Sequence, residues 1–504
     1  MTTLTIRTKE LLCVAITIIV MLQAPASTTA VVNNVAFEWT HMLDTLICPQ
    51  GATNLGFAPL TSAIQPQLHL AQWHALIALK ATGDCTTEQA VVAFASFKIL
   101  SHYFSWTQIL DFNLGPLLDR QLRSMDLTEK QKRLSKRIGQ TVAVNLIRQR
   151  SPASEFTQGP VHAAVDDVIN PQIGVFRHFA TTPEGRDAAH FFFNQMVSWK
   201  PFVLPHPLQF IKDYLSEFKP PVIPSAEWDA DWDGLKDIGR AGWSGRTAAM
   251  NLSANLYACP RLSNFKCSFE QAASAAIQTA LPSNTSLYDS VLLLAKTSVS
   301  IHDAAITQVT VKFGFWFWRP EQAFRSGDGT HAPIPDWSPY HPTPLEPEYP
   351  SGTVTIVSAG TGPLQKYFGK DKDVPFFIEG GGTFNCEGFV GVPVPTVNFT
   401  SLDAFVTEAG KSRMYSGAHY QSSVDDAKEI GKRVADYVEK HWTHTQPSGV
   451  LPDPTFLDIF AKVVKKSGDF SPVSSFAALL VVIPDEPGIL DNACTSFSAI
   501  IELI

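Results

Sequence analysis

Three separated segments concentrate side chains suited to gripping a tetrahedral oxyanion. The first is Lys312-Phe-Gly-Phe-Trp-Phe-Trp-Arg319-Pro320. On one helix, positions seven apart return to nearly the same face, so Lys312 and Arg319 would point together and Pro320 would mark the helix end. Phe313, Phe315, Trp316, Phe317 and Trp318 surround these charges, and a dry aromatic setting strengthens each charge interaction. The second segment is Tyr349-Pro350-Ser351-Gly352-Thr353. Ser351 is suited to cap a helix and present its hydroxyl, while Gly352 lets a backbone N–H approach a bound oxygen at the positive helix end. The third is Ser412-Arg413-Met-Tyr-Ser-Gly-Ala-His419, where Gly417 permits a bend that brings Arg413 and His419 together. Singly, each is bland: a lone Lys or Arg is a surface charge, and a helix-start histidine is a cap or a core residue. Together they supply two arginines, a lysine, a serine, a glycine amide and a histidine, with no metal-ligand cluster. That set fits phosphate or a phosphate analogue.

The elements that must position these groups read as helical. Apolar residues recur at helical spacing over 62–80, through Ile64, Leu68, Ala71, Ala75, Leu76 and Leu79. Thr86 with Gln89 reads as a capping box before Val91 to Leu100, and Thr128-Glu129 opens another helix carrying Leu134, Ile138 and Val142. Helices are also expected over 187–199, 206–217, 245–257, 286–318 and about 421–441. Seven prolines crowd the loop from Pro333 to Pro350. Asp229-Ala-Asp231-Trp-Asp233-Gly234 imitates the start of a calcium loop, but its twelfth position is Arg240. A bidentate glutamate is needed there, so the segment reads as an exposed acidic turn. The expected fold is all-α, two helical bundles in tandem. The expected divisions are a signal peptide at 1–30, an amino-terminal bundle with connecting loops at 31–265, a carboxyl-terminal bundle holding the oxyanion site at 266–445, and a packed tail at 446–504.

With these motifs the chain resembles the vanadium-dependent haloperoxidases and the related PAP2-type acid phosphatases. Their shared signature is K-x6-R-P, then P-S-G-H, then S-R-x5-H. His302-Asp303-Ala304-Ala305, Trp318-Arg319-Pro320 and Arg433-Val434-Ala435-Asp436-Tyr437 extend the match. The resemblance implies that Lys312, Arg319, Ser351, Gly352 and Arg413 bind the equatorial oxygens of vanadate or phosphate. It implies that His419 bonds axially to vanadium, or attacks phosphorus to give a phosphohistidine. In the haloperoxidases vanadate stays pentavalent and activates hydrogen peroxide, which oxidises a halide to hypohalous acid.

The chain departs from the family at the acid–base position, where the histidine of P-S-G-H is Thr353. A threonine hydroxyl has no pKa near neutrality, and losing proton transfer costs roughly 10²–10⁴-fold. Ser423 stands where relatives commonly place an aspartate, and Val309 where some carry tryptophan near the halide. Glu346, Glu348, His331 and His341 are candidates for a substitute acid, while His302 and Asp303 read as structural. The expectation is a haloperoxidase-like oxidoreductase with a degenerate acid–base position, using peroxide and halide. The alternatives are a repurposed non-redox enzyme or anion-binding protein acting on an organic metabolite, and a soluble acid phosphatase.

Composition bounds the partners. The 504 residues are 45% hydrophobic with a formal net charge of −8, which excludes a disordered chain and leaves no basic block for nucleic acid. Arg7 and Lys9, the apolar run Leu11–Leu22 and small residues at Ala24, Ala26, Ser27 and Ala30 read as a secretory signal peptide. The export expectation extends to up to three disulfides among Cys48, Cys85, Cys259, Cys267, Cys386 and Cys494. Sequons begin at Asn251, Asn284 and Asn398. No apolar run beyond residue 30 is long enough to span a membrane.

Overall fold

The computed structural model describes residues 34–51, 57–82, 86–104, 110–150, 173–176, 196–197, 199–208, 218–258, 261–262, 269–344, 346–369, 373–380, 383–384 and 391–442. The signal peptide, the carboxyl-terminal tail, most of the helices expected over 187–199 and 206–217, and all the cysteines except Cys48 lie outside these residues; the described 206–208 are not helical.

The first bundle is built from α1 (Val35–Gly51), α2 (Phe57–Lys80), α3 (Glu88–Tyr103), α4 (Leu110–Ser124) and α5 (Glu129–Arg150). The connecting region carries α6 (Ala226–Leu235), α7 (Ala248–Ala258) and β1 (Arg261–Leu262). The second bundle holds α8 (Phe269–Ala280), α9 (Leu287–Phe315), α10 (Pro320–Ser326) and α11 (Gly352–Phe368). It continues through β2 (Phe376–Ile378), β3 (Thr383–Phe384) and β4 (Val397–Phe399) to α12 (Leu402–Tyr415) and α13 (Gln421–Lys440). Two antiparallel strand pairs, β1 with β3 and β2 with β4, are minor trim on an all-α fold.

α9 is the axis of the molecule. Ser286 caps it, its hydroxyl accepting from the Asp289 N–H at 3.0 Å. From Val291 onward it is buried almost all round, its polar residues included, so it is a central helix rather than one with a single buried stripe. It packs against α2 on one side and α11 and α13 on the other. One apolar core therefore runs from Trp39 and Trp73 through Val291 and Leu294 to Val434 and Val438. The two bundles share that core.

Three expectations are corrected. The capping box at Thr86 and Gln89 does not form; Thr87 is the N-cap of α3 and makes no side-chain cap bond. The reciprocal box belongs to α5, where the Thr128 N–H donates to Gln131 Oε1 at 3.0 Å and the Gln131 N–H to Thr128 Oγ1 at 3.3 Å. The Asp229–Asp233 segment is helical, in α6, and Asp231 is buried, accepting the Ser422 N–H at 2.9 Å. That contact pins α6 to the start of α13. Lys312 and Arg319 do not share one helix. α9 stops at Phe315 because Trp316 adopts the left-handed region, φ 50°, and Arg319 follows as the N-cap of α10.

Candidate functional site

The pocket lies where α9, α10, the proline loop, α11 and the α12–α13 turn meet. Lys312 comes from the last turn of α9 and Arg319 from the turn beyond it. Trp228, Phe317, Trp318, Trp337, Tyr349 and Tyr420 form the apolar floor beneath them. Arg413 ends α12, and Gly417, at φ 75°, turns the chain so that His419 follows at once. A Cβ on Gly417 would lie 2.5 Å from the Gly239 carbonyl, so no side chain fits this bend.

Every cation here is buried. Lys312 Nζ donates to the carbonyls of Pro347 at 2.7 Å and Glu348 at 2.9 Å. Arg319 donates from Nε to the Glu346 carbonyl at 2.8 Å and from Nη1 to the Ala418 carbonyl at 2.8 Å. The proline loop and the α12–α13 turn are thus tied to the same guanidinium. Burial lowers the pKa of Lys312 to about 7 and of Arg413 to about 10.

Carboxylates enter the pocket as well. Glu346 Oε1 lies 3.2 Å from Arg319 Nη2 and 3.5 Å from Lys312 Nζ. Glu348, fully buried, accepts from His419 Nδ1 at 2.8 Å and from the Tyr420 N–H at 3.1 Å. Burial raises its pKa to about 7, against the pull of Arg319 and Lys312. A cradle of cations alone would be costly to bury, and these carboxylates offset much of that cost.

The tautomer of His419 follows from its neighbours. Arg319 Nη1, 3.1 Å from Nε2, can only donate. Nε2 therefore accepts, and Nδ1 carries the proton that Glu348 receives. Burial, with Arg319 next, holds this imidazole well below the usual histidine range.

Ser351 is the N-cap of α11 by position, yet its hydroxyl makes no cap bond and is a buried atom without a partner. Arg413 Nε is likewise buried and unpaired. Gly352 sits so close to α9 that a Cβ would meet Gln308 Oε1 at 2.9 Å, and that oxygen is a third unpaired buried atom. Gln308 was not among the expected site residues, although it lies one helical turn before Lys312, a spacing that could have flagged it. Thr353, in the first turn of α11, is half-buried.

The other acid candidates divide. Glu346 and Glu348 reach the cradle. His341 bonds Asn255 Oδ1 at 2.8 Å, and burial, with Arg413 next, lowers its pKa to about 4. His331 is elsewhere, bonded to Asp328 at 2.7 Å and stacked on Trp232. His302 bonds the Ser62 carbonyl at 2.6 Å, and Asp303 accepts the N–H groups of Phe202, Val203 and Leu204, so both fasten the fold.

Residues 292–446 match the family described as the VCPO second helical-bundle domain. Among solved structures, a bacterial vanadium-dependent iodoperoxidase aligns with TM-score 0.62 and 18% identity, over 83% of this chain and 97% of its own. A holo-type bacterial vanadium-dependent chloroperoxidase aligns with TM-score 0.57 and 16% identity, over 86% of this chain and 99% of its own. An apo-type bacterial chloroperoxidase aligns at 0.54 and 16%, over 82% and 95%. No curated protein sequence matches. Residues 292–446 thus resemble the second helical-bundle domain of that family, and the chain shares the fold of the vanadium-dependent haloperoxidases.

Proposed function

We propose that this protein is a haloperoxidase-like enzyme that binds vanadate or phosphate among Lys312, Arg319, Arg413, Ser351 and the amide of Gly352. The observation that carries this reading is the pair of buried, unpartnered polar atoms, Ser351 Oγ and Arg413 Nε, from the two segments that precede α11 and His419. Leaving such atoms unpaired costs about 1–3 kcal/mol each, and a tetrahedral oxyanion offers acceptors to both. The residues fit the group.

Bound vanadate would supply the activation of hydrogen peroxide for halide oxidation. The chain's own residues do the rest. Lys312, Arg319 and Arg413 neutralise the anion in a dry, aromatic-walled setting where charge interactions are strong. Glu348 holds the proton on Nδ1 of His419 and so keeps a lone pair on Nε2, the atom that would face vanadium. Thr353 cannot transfer a proton near neutrality, so the acid–base position is degenerate.

The same histidine geometry favours a second reading. A neutral imidazole with Nδ1–H on a carboxylate and an unprotonated Nε2, here accepting from Arg319 Nη1, is also the arrangement of a nucleophile for phosphoryl transfer. We also read the protein as secreted, with residues 1–30 removed.

The test is the vanadium content of the purified protein, read beside bromination of a phenol dye with peroxide and hydrolysis of an aryl phosphate without vanadate. Stoichiometric vanadium with bromination supports the haloperoxidase reading. Phosphate hydrolysis alone supports the phosphatase. Neither bound vanadium with bromination nor phosphate hydrolysis would overturn both.

A further inference from the structure

We infer that Glu346 makes the pocket selective for tetrahedral oxyanions that carry a proton, the phosphate, arsenate and vanadate class, over those that carry none, such as sulfate. The inference rests on the oxyanion-binding reading above and adds to it which anions bind.

A pocket of donors alone would take any tetrahedral anion of the right size. This one is not donors alone. Glu346 is 8% exposed, and its Oε1 contacts both Arg319 and Lys312. Its second oxygen, Oε2, is buried and has no hydrogen-bond partner. An anion that reaches Arg319 Nη2 and Lys312 Nζ therefore comes up against Glu346, since one carboxylate oxygen already sits on both donors.

The chemistry of that encounter depends on the anion. Ionised, a carboxylate only accepts hydrogen bonds. A sulfate oxygen would face Oε2 acceptor to acceptor, with like charges in a poorly screened interior. Phosphate and vanadate keep at least one O–H at neutral pH, and that hydroxyl can donate to Oε2 in a charge-assisted bond. The atom left unpaired becomes paired by one class of anion and repelled by the other. Sites that require a substrate hydroxyl discriminate strongly against analogues lacking it.

The experiment is calorimetric titration of the purified full-length protein with inorganic phosphate and with sulfate, at pH 7 and matched ionic strength. The wild type should prefer phosphate by about 10²-fold or more. Glu346→Gln replaces an acceptor by an amide that can donate, so sulfate should tighten and the preference should fall to within about threefold. Glu346→Asp keeps a carboxylate and should keep the preference. If wild type binds both anions equally, or if Glu346→Gln strengthens both by the same factor, Glu346 is a plain competitor and the selectivity is refuted while the oxyanion site stands. If wild type binds neither, the oxyanion reading fails and this inference with it. Should Glu346→Gln not fold, the wild-type ratio and the Glu346→Asp ratio decide the matter alone.

Discussion

Glu348 Oε1 stands 2.8 Å from Nδ1 of His419, joining the loop before α11 to the turn after α12 inside the pocket. Both side chains are almost wholly buried. Relatives commonly place a carboxylate four residues after this histidine, where the chain has Ser423. Here the carboxylate arrives from a different segment and meets Nδ1 of His419, the ring nitrogen opposite the one that Arg319 contacts.

Glu348→Ala should release the tautomer. Histidine nitrogen spectra of the wild type should show the Nδ1–H form of His419, Glu348→Gln should retain it, and Glu348→Ala should give a mixture. The alanine variant also strands Nδ1–H and the Tyr420 N–H, at about 1–3 kcal/mol each, so its thermal midpoint should drop. A wild type holding its proton on Nε2 would contradict this assignment.

Arg413→Ala should abolish stabilisation by phosphate or orthovanadate. A ligand at a hundred times its Kd stabilises the fold by about 2.7 kcal/mol, which a thermal scan resolves. Arg413 Nε has no partner inside the protein to give up, so that N–H is available to the anion. Millimolar anion that leaves the wild-type midpoint unmoved would show that the cradle has decayed.

Anion affinity should fall as pH rises above 7. Burial lowers the pKa of Lys312 to about 7, with Glu346 opposing, so below that value the ammonium is present and above it the free protein loses it. Binding that needs the cation must then take up a proton, and affinity declines toward tenfold per pH unit. Phosphate titrations from pH 6 to 9 should show this decline, and Lys312→Gln should bind more weakly with a shallower profile. Phosphate's own titration is common to both proteins, so the difference in slope belongs to Lys312.

On a secretory route, the Asn284 and Asn398 sequons should carry glycan and Asn251 should not. Asn284 and Asn398 are exposed. Asn251 Oδ1 accepts from Arg246 Nε at 2.9 Å, and Ser253 is buried. Deglycosylation of the secreted protein should remove two chains; Asn284→Gln and Asn398→Gln should each remove one, and Asn251→Gln none.

The donors of the site were legible because they sit in short motifs with fixed spacing, Lys312 to Arg319 and Arg413 to His419. The helix from Gln421 was legible because Val424, Ala427, Ile430, Val434 and Val438 keep its period, and all five are buried. The inward turn of Glu346 and Glu348 was not. They lie in a proline-dense loop with no periodicity, and their partners are Arg319 and His419, 27 and 71 residues away. The break after Phe315 was hidden too, because a left-handed tryptophan at 316 has no local signal. Asp231 looked like part of an exposed turn because its partner, Ser422, is 191 residues distant.

Thr353→His tests the degenerate position directly. Thr353 stands in the first turn of α11, half-buried beside the buried Ser351 and Gly352, so a larger ring has an outlet that a fully enclosed site would deny. With vanadate and peroxide, the imidazole should raise bromide oxidation by roughly 10²-fold if it lands in register. Adding Ser423→Asp should not help. Ser423 is fully buried close to Glu348 and favours its charged form, and a second carboxylate there would repel the first and disturb His419. If the wild type already oxidises bromide well and Thr353→His adds nothing, proton transfer runs through the pocket carboxylates, and Glu346→Gln should then lower the rate by roughly 10²–10⁴-fold. If both proteins hold vanadate and both are inert, while the wild type transforms an organic substrate without peroxide, the pocket has been turned to non-redox chemistry.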